Sequence, residues 1–179
     1  MTFRFLAAVG VAAVLALSAA SANAQVSFGV AAGVNAPINS LADLAEAGYN
    51  VAGSVNFAAP TNPFGVRLEG AYNGLQLRGP AGGDVRIITG TANGVFNINK
   101  TPSSPYLIAG FGAYSRRITV DPVGNTGDKT VFGINGGGGL RFPLSGISTF
   151  LEARIHFMMG SKGDEADFQF IPVTFGIVF

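Results

Sequence analysis

The residues best suited to chemistry lie at and after the chain's single histidine, His156. Ser161, Asp164 and Glu165 follow it, and a histidine, a serine and a carboxylate together make up the triad of many hydrolases. A His-x-Ser spacing would place both side chains on one strand face, yet Met158 occupies that position, and no Gly-x-Ser-x-Gly elbow occurs. A rim hydrolase using His156 is therefore the least favoured of three functional hypotheses.

A second set of polar residues occupies alternate positions of apolar segments. Arg67 and Glu69 alternate with apolar neighbours, and Glu152, Arg154 and His156 do so further along the chain. Successive side chains of a β-strand point to opposite faces, so each alternation predicts one polar and one apolar face. The role of these polar side chains depends on the fold that encloses the polar face.

The elements that position these residues are predicted to be strands. Eight segments alternate in this way between turn residues: 26–34, 48–58, 64–74, 85–98, 106–117, 130–142, 148–159 and 167–179. Each is close to, or slightly longer than, the roughly 9 to 11 residues of a tilted membrane strand. The connections after the second, fourth and sixth segments are short, and the others are generally longer and more polar. The sequence therefore predicts an all-β fold, an eight-stranded antiparallel up-and-down transmembrane β-barrel.

The composition supports a membrane location. Only 12% of the residues are charged and 48% are hydrophobic, whereas soluble domains carry about a quarter charged residues. The net charge of +1 gives no support to nucleic-acid binding. Without cysteine, and with one histidine, the chain predicts no disulfide, no metal site and no cofactor.

The two ends of the chain indicate export and insertion. Arg4, an apolar run over 5–17 and a small-residue stretch over 18–24 have the features of a signal peptide. We therefore predict a signal peptide over 1–24 and a barrel domain over 25–179. In the last strand, an apolar face ending in Phe175, Ile177 and Phe179 is predicted to meet lipid. Pro172 removes one ladder donor, which predicts regular pairing only from Val173 onward.

Charged residues facing lipid near the membrane midplane cost about 2 to 4 kcal/mol for Arg or Lys, so the polar faces are expected to line the lumen. An eight-stranded barrel is only wide enough to be filled by side chains. We therefore predict a paired internal network that plugs the lumen, with a gated small pore or proton path as the alternative. The predicted lumen residues are Arg67, Glu69, Asn135, Arg141, Glu152, Arg154 and His156.

Two features belong to the outer end of the predicted barrel. Between the first two strands, Ser40 is placed as the N-cap of a short helix that stops at Gly48, and packing over the barrel mouth is favoured over an amphipathic lip. Basic residues at or beyond the outer strand ends are candidate contacts for lipopolysaccharide phosphates, with ordinary solvated charge as the equal alternative. These residues are Arg78, Arg86, Arg116, Arg117, Lys129 and Lys162.

Aromatic residues near strand ends predict the girdle of a membrane barrel. They are Tyr49, Phe57, Phe64, Tyr72, Phe96, Tyr106, Phe142, Phe150 and Phe157. Phe111, Tyr114 and Phe132 are expected to cover gaps left by glycines in the fifth and sixth strands.

The alternating strands, the segments 105–112, 133–137 and 150–154, and the ending 171–179 together resemble the small outer-membrane β-barrel family. Its relatives include the barrel of the OmpA group and the OmpX-type proteins. The resemblance implies insertion by the barrel assembly machinery, with the final strand and its residues Phe175, Ile177 and Phe179 as the assembly signal. It carries over no catalytic residue. The expected partners are outer-membrane lipid and lipopolysaccharide, and the expected state is a monomer.

The sequence is therefore compatible with three functions. The first is a non-enzymatic outer-membrane barrel with a structural role or a surface-interaction role through its outer loops. The second is a narrow pore for ions or small solutes, and the third is the rim hydrolase.

Overall fold

A computed structural model describes residues 25–59, 62–79, 82–99, 101, 103–120, 124–125, 127–144, 147–160 and 168–179. The predicted signal peptide, residues 1–24, lies outside the described residues. So do Ser161, Lys162, Asp164 and Glu165, which the hydrolase and lipopolysaccharide hypotheses invoke.

The described residues form nine strands and one short helix. These are β1 Gln25–Ile38, α1 Ser40–Leu44, β2 Gly48–Ala58, β3 Phe64–Gln76, β4 Gly83–Asn97, β5 Ser104–Val120, β6 Gly124–Asn125, β7 Lys129–Leu144, β8 Ile147–Met158 and β9 Phe168–Val178. Among these described residues, no helix has the length and apolar character needed to cross a membrane.

The eight long strands close into a barrel. Neighbours along the chain pair antiparallel, β4 pairs with β5, and β9 returns to pair with β1. Within the described part of the chain, the two-residue strand β6 pairs only with the end of β5. Closure leaves the eight long strands without an open edge, which the hydrocarbon core of a bilayer requires because it offers no water to unpaired backbone groups. The predicted eight-stranded antiparallel barrel is confirmed.

The alternation of the sequence becomes the two faces of the barrel wall. Along β1, Val26, Phe28, Val30 and Val34 point outward and are 50–61% exposed, whereas Asn35 is buried. We call the end that carries the β2–β3, β4–β5 and β7–β8 connections periplasmic, because small outer-membrane barrels place their short turns there. The opposite end is the outer end, and there β1, β3 and β5 continue beyond their predicted limits.

Strand β9 is paired more completely than Pro172 predicts. Its pairing with β1 is continuous from Gln169 to Val178. On the β8 side, pairing runs from Val173 to Val178, is missing at Ile171 and Pro172, and resumes at Phe170. The prediction of regular pairing only from Val173 onward is therefore wrong. Because proline lacks one donor, it interrupts the ladder locally rather than ending it.

Helix α1 closes the outer mouth of the barrel. Its N-cap is Asn39 rather than the predicted Ser40, and the Asn39 Nδ2 donates to Gln169 Oε1 at 2.6 Å. Leu41 is 1% exposed and Ala45 0% exposed. Both belong to a cluster, here called the outer apolar plug, which consists of Leu41, Ala45, Leu75, Val85, Ile87, Tyr114, Met158, Phe168 and Phe170. Packing over the mouth, the favoured interpretation of this segment, is confirmed.

Two aromatic residues predicted for the girdle instead point into the lumen. Tyr106 and Phe150 are 1% and 4% exposed. A Cβ at Gly139 would collide with the Tyr106 ring, and one at Gly176 would collide with the Phe150 ring. The two rings therefore need glycines beside them on the neighbouring strands. Tyr114 covers Gly133 as predicted, whereas Phe111 and Phe132 point outward and are 51% and 60% exposed.

The burial of Leu41 in the outer apolar plug predicts that truncating its side chain destabilises the barrel. Leu41→Ala is expected to lower the free energy of unfolding by about 2–4 kcal/mol, because a buried leucine leaves a cavity when truncated. Leu44→Ala is the matched control, since Leu44 lies on the same short helix and is 41% exposed. Urea unfolding of both variants in lipid vesicles checks this, and equal losses for the two would contradict the assignment of α1 as a plug.

Candidate functional site

Four charged side chains cross the lumen between opposite walls. Arg67 and Glu69 lie on β3, and Glu152 and Arg154 lie on β8. In the closed strand order, β3 and β8 are four positions apart in either direction, so they face each other across the barrel diameter. All four side chains alternate inward because their strand positions differ by two.

The charges pair crosswise. Arg67 Nη1 donates to Glu152 Oε2 at 2.8 Å, and Arg154 Nη2 donates to Glu69 Oε1. Arg154 Nε also lies 2.8 Å from Glu152 Oε1. The group is electrically balanced, and its members are at most 9% exposed. A buried charge without a partner is strongly unfavourable, so the two ion pairs between β3 and β8 hold the opposite walls together. We call these four residues the lumen crossbar.

Neutral groups add further hydrogen bonds to the crossbar. Tyr106 OH donates to Glu152 Oε2 at 2.6 Å, and Arg67 Nε donates to Asn56 Oδ1 at 2.9 Å. The Arg67 guanidinium also lies 5.1 Å from the centre of the Phe150 ring, within the range of a cation–π contact. The sequence interpretation did not include Asn56 or Tyr106 in the network.

Arg141 lies apart from the crossbar. Among the described residues it forms no ion pair, and its guanidinium lies 5.5 Å from the centre of the Tyr106 ring. It lines the periplasmic mouth, a polar depression of about 630 Å³. Of the seven predicted lumen residues, Arg141 is thus placed at the mouth rather than in the interior.

Asn135 and His156 lie opposite each other on β7 and β8, toward the outer end. Asn135 Nδ2 donates to Asn93 Oδ1 at 3.0 Å. His156 Nδ1 lies 3.0 Å from Tyr114 OH, and its ring stacks on Phe170 with centroids 4.8 Å apart. His156 is 3% exposed, so it lies in the lumen beneath the outer apolar plug and not at the rim. The rim position that the hydrolase hypothesis requires is therefore wrong.

Amide side chains that sequence analysis missed form another polar layer. Asn73 Oδ1 accepts hydrogen bonds from Asn35 Nδ2 at 3.0 Å and from Asn50 Nδ2 at 2.7 Å. All three residues are at most 4% exposed. Asparagine is depleted in strands, so its presence inside β1, β2 and β3 was a usable signal for inward-facing positions.

The lumen is thus filled in layers. The outer apolar plug lies at the outer end, the polar groups and crossbar follow, and Val95, Tyr106, Ile108 and Phe150 form a second apolar cluster toward the periplasmic end. Interiors packed in this way leave few voids larger than a water molecule.

A different cluster lies on the outer surface of the barrel. Arg86 on β4 and Arg117 on β5 are cross-strand partners, and both face outward. Asp128, just before β7, joins them: it accepts from Arg117 Nε at 2.9 Å and from Arg86 Nη2 at 3.0 Å. Hydrogen bonding to Arg117, and then to Arg86, holds the pKa of the Asp128 carboxyl below its usual value. We call Arg86 and Arg117 the arginine pair.

The other basic residues predicted to contact lipopolysaccharide lie elsewhere. Arg78 Nε donates to the Ala45 carbonyl oxygen at 3.2 Å, at the end of α1. Arg116 lies over the Phe168 ring, 4.3 Å from its centre, at the outer mouth of the lumen. Lys129 begins β7 and is exposed. Of the five members of this set that the structure describes, only Arg86 and Arg117 therefore come together on the lipid-facing side.

The residues predicted as an assembly signal face lipid. Phe175 and Phe179 are 57% and 62% exposed, and Ile177 alternates with them on the same side of β9. Phe179 also exchanges two backbone hydrogen bonds with Phe28, each 2.9 Å long, where the barrel closes.

A closed barrel of eight strands with an apolar outer belt and a polar interior defines a transmembrane β-barrel. Residues 7–179 match the family model described as outer membrane protein beta-barrel domain. The chain belongs to this family and is a protein of the outer membrane.

Solved structures share this fold. Neisserial surface protein A is 13% identical, with a TM-score of 0.68, over 87% of this chain and 97% of that one. OprG from Pseudomonas aeruginosa is 10% identical, with a TM-score of 0.52, over 88% and 97%. A major outer membrane protein from Thermus thermophilus is 15% identical, with a TM-score of 0.52, over 87% and 99%. No curated protein matches the sequence.

The crossbar predicts strong coupling between opposite walls. Glu152→Leu is expected to lower the free energy of unfolding by roughly 3–5 kcal/mol, because it removes the carboxylate 2.8 Å from Arg67 Nη1 and leaves this buried guanidinium to Glu69 Oε2, 3.9 Å away. Adding Arg67→Met should recover part of that loss, since the double variant removes both charges of one pair. Urea unfolding of the single and double variants in vesicles measures the coupling. Simple addition of the two single losses would show that the pair is not coupled.

Asp128 gives a pH prediction. Because its folded-state pKa is lowered, the contribution of its bond to the arginine pair is present above the unfolded value of about 3.9 and is lost as the pH falls through the folded value. Carboxyl carbon NMR should give a titration midpoint below that of an ordinary aspartate. Arg117→Gln should raise the midpoint, whereas Arg78→Gln should leave it unchanged. An unchanged midpoint in Arg117→Gln would refute Arg117 as the main cause of the lowered pKa.

Proposed function

We propose that this protein is a non-enzymatic outer-membrane barrel with a structural and surface-interaction role, and that its interactions use the outer loops and the outer rim. The observation that carries this proposal is the lumen crossbar, in which Arg67 and Glu152 join opposite walls at 2.8 Å. Apolar clusters above and below the crossbar support it further, because ions crossing the barrel would have to break both the packing and the buried ion pairs.

The outer end is better suited to contacts than the lumen. There β1, β3 and β5 extend past their predicted ends, and α1 and β6 add structure to the connections. Loops presented by a rigid scaffold are common sites of recognition. The arginine pair lies at the same end, at the level where strands leave the membrane.

A narrow pore for ions or small solutes remains the competing function, since the crossbar lies where a gate would lie. Planar-bilayer recordings separate the two proposals. We expect wild type to show no steady unitary conductance, and Arg86→Ala, which changes the outer surface only, to behave as wild type. The pore proposal requires steady steps in wild type that change when Arg67 and Glu152 are both replaced by alanine, and that result would overturn the structural role.

Hydrolysis is tested separately. Lipid and peptide substrates incubated with wild type and with His156→Ala should show equal background rates, because His156 is enclosed by Tyr114 and Phe170. Activity present in wild type and absent in His156→Ala would refute the non-enzymatic assignment.

A further inference from the structure

The lipid-facing wall of the barrel carries a furrow on β2 to β5. Gly53, Gly70, Gly90 and Ala113 are consecutive cross-strand partners and all face outward. The row ends against Phe132 on β7, which is 60% exposed. The depression has a volume of about 520 Å³, within the roughly 300–1,000 Å³ of small-molecule sites.

The barrel does not need glycine at the floor of this furrow. A Cβ built at Gly53 or at Gly90 would meet no atom within 4 Å. By contrast, Gly176 and Gly139 are enforced by inward aromatic rings. The furrow is therefore open space on the membrane side, with outward residues such as Val55, Leu68 and Phe111 as its apolar walls.

The arginine pair lies above the furrow on β4 and β5, two of the four strands that form it. Arg86 is four residues from Gly90, and Arg117 is four residues from Ala113. At about 3.3 Å per residue, Arg86 and Arg117 lie about 13 Å further along their strands in the direction of the outer end. Asp84 lies one outward position higher still, so the arginine pair is nearer to the furrow than this acidic group.

Aromatic rings between the furrow and the arginine pair mark the level of the membrane interface. Tyr72 and Ile88 are partners one outward position above Gly70 and Gly90. Tyr72 stacks on Tyr49 with centroids 5.9 Å apart, and both rings are exposed. Tyrosine rings of membrane barrels lie at the level of the lipid headgroups. The furrow therefore lies in the hydrocarbon region and the arginine pair lies at phosphate level.

We propose that this surface binds one molecule of lipopolysaccharide, with an acyl chain in the furrow and a phosphate on the arginine pair. The occupant must be amphiphilic and anionic, because an apolar depression continues into two cross-strand guanidiniums. Lipopolysaccharide is the acylated, phosphorylated lipid of the outer leaflet, where this surface lies. Its phosphate exchanges with or joins the Asp128 carboxylate, which already holds both arginines side by side.

Filling the furrow tests the acyl-chain part of the site. Gly90→Leu places a side chain in open space, and Gly94→Leu is the matched control. Gly94 also faces outward on β4 with its nearest Cβ neighbour at 3.8 Å, but it does not line the furrow. Purified lipopolysaccharide is titrated against the folded barrel in nanodiscs of neutral phosphatidylcholine. We expect Gly90→Leu to weaken binding about tenfold, the factor for roughly two methylene groups no longer buried.

The control variant should bind as wild type does. Heat-modifiable gel migration must show that both leucine variants are folded. Equal affinity in wild type and Gly90→Leu, or equal weakening in the two leucine variants, overturns the furrow as the acyl site.

Removing the arginine pair tests the phosphate part. The double variant Arg86→Gln and Arg117→Gln is expected to lose about tenfold or more in affinity, because hydrogen bonds between charged partners are the strong ones. Arg78→Gln, at the same end of the barrel, should retain wild-type affinity. Dephosphorylated lipopolysaccharide should bind wild type and the double variant equally.

Phosphatidylglycerol is the second probe, since it also carries a phosphate and acyl chains. Binding of phosphatidylglycerol as tight as that of lipopolysaccharide overturns the commitment to this lipid. Retention of lipopolysaccharide affinity by the double variant overturns the arginine pair as its phosphate site.

Discussion

The structure depends on satisfying every backbone donor and acceptor within a membrane. Pairing of β9 with β1 closes the sheet, and the two hydrogen bonds between Phe28 and Phe179 complete the ladder at the periplasmic end. Closure with eight strands then fixes the width of the lumen, which is narrow enough for side chains to meet across it. The crossbar, the apolar layers and the position of α1 all follow from filling that fixed width.

The pairing of charged side chains in the lumen follows from the fixed width of the barrel. Side chains that point inward cannot reach solvent through packed apolar layers, so a buried arginine must find a carboxylate inside the barrel. Arg67 finds Glu152, and Arg154 finds Glu69, four strands away in either direction. A pair joining opposite walls restrains the cross-section of the barrel more directly than a pair between neighbouring strands would. Arg141, at the wider polar mouth, needs no such partner.

The sequence predicted what alternation can encode and missed what depends on register. Strand parity predicted the inward direction of Arg67, Glu152 and His156, because each alternates with apolar residues. The girdle prediction, which rested on nearness to strand ends and not on parity, failed for Tyr106 and Phe150, because both rings point into the lumen. The meeting of Arg86 with Arg117 depends on the register of β4 with β5, which no local pattern specifies. The same holds for Asn35, Asn50 and Asn73, whose contacts join three strands.

The glycines show which parts of the wall serve folding and which do not. Gly139 and Gly176 make room for Tyr106 and Phe150, so their absent side chains are explained by packing inside the barrel. Gly90 has no such explanation, because its Cβ would project into open space on the lipid side. Glycine within a strand also weakens it, through lost backbone entropy and lost contacts. A residue that costs stability and makes room for nothing in the protein points to something outside it, and the arginine pair above the furrow indicates the charge of that molecule.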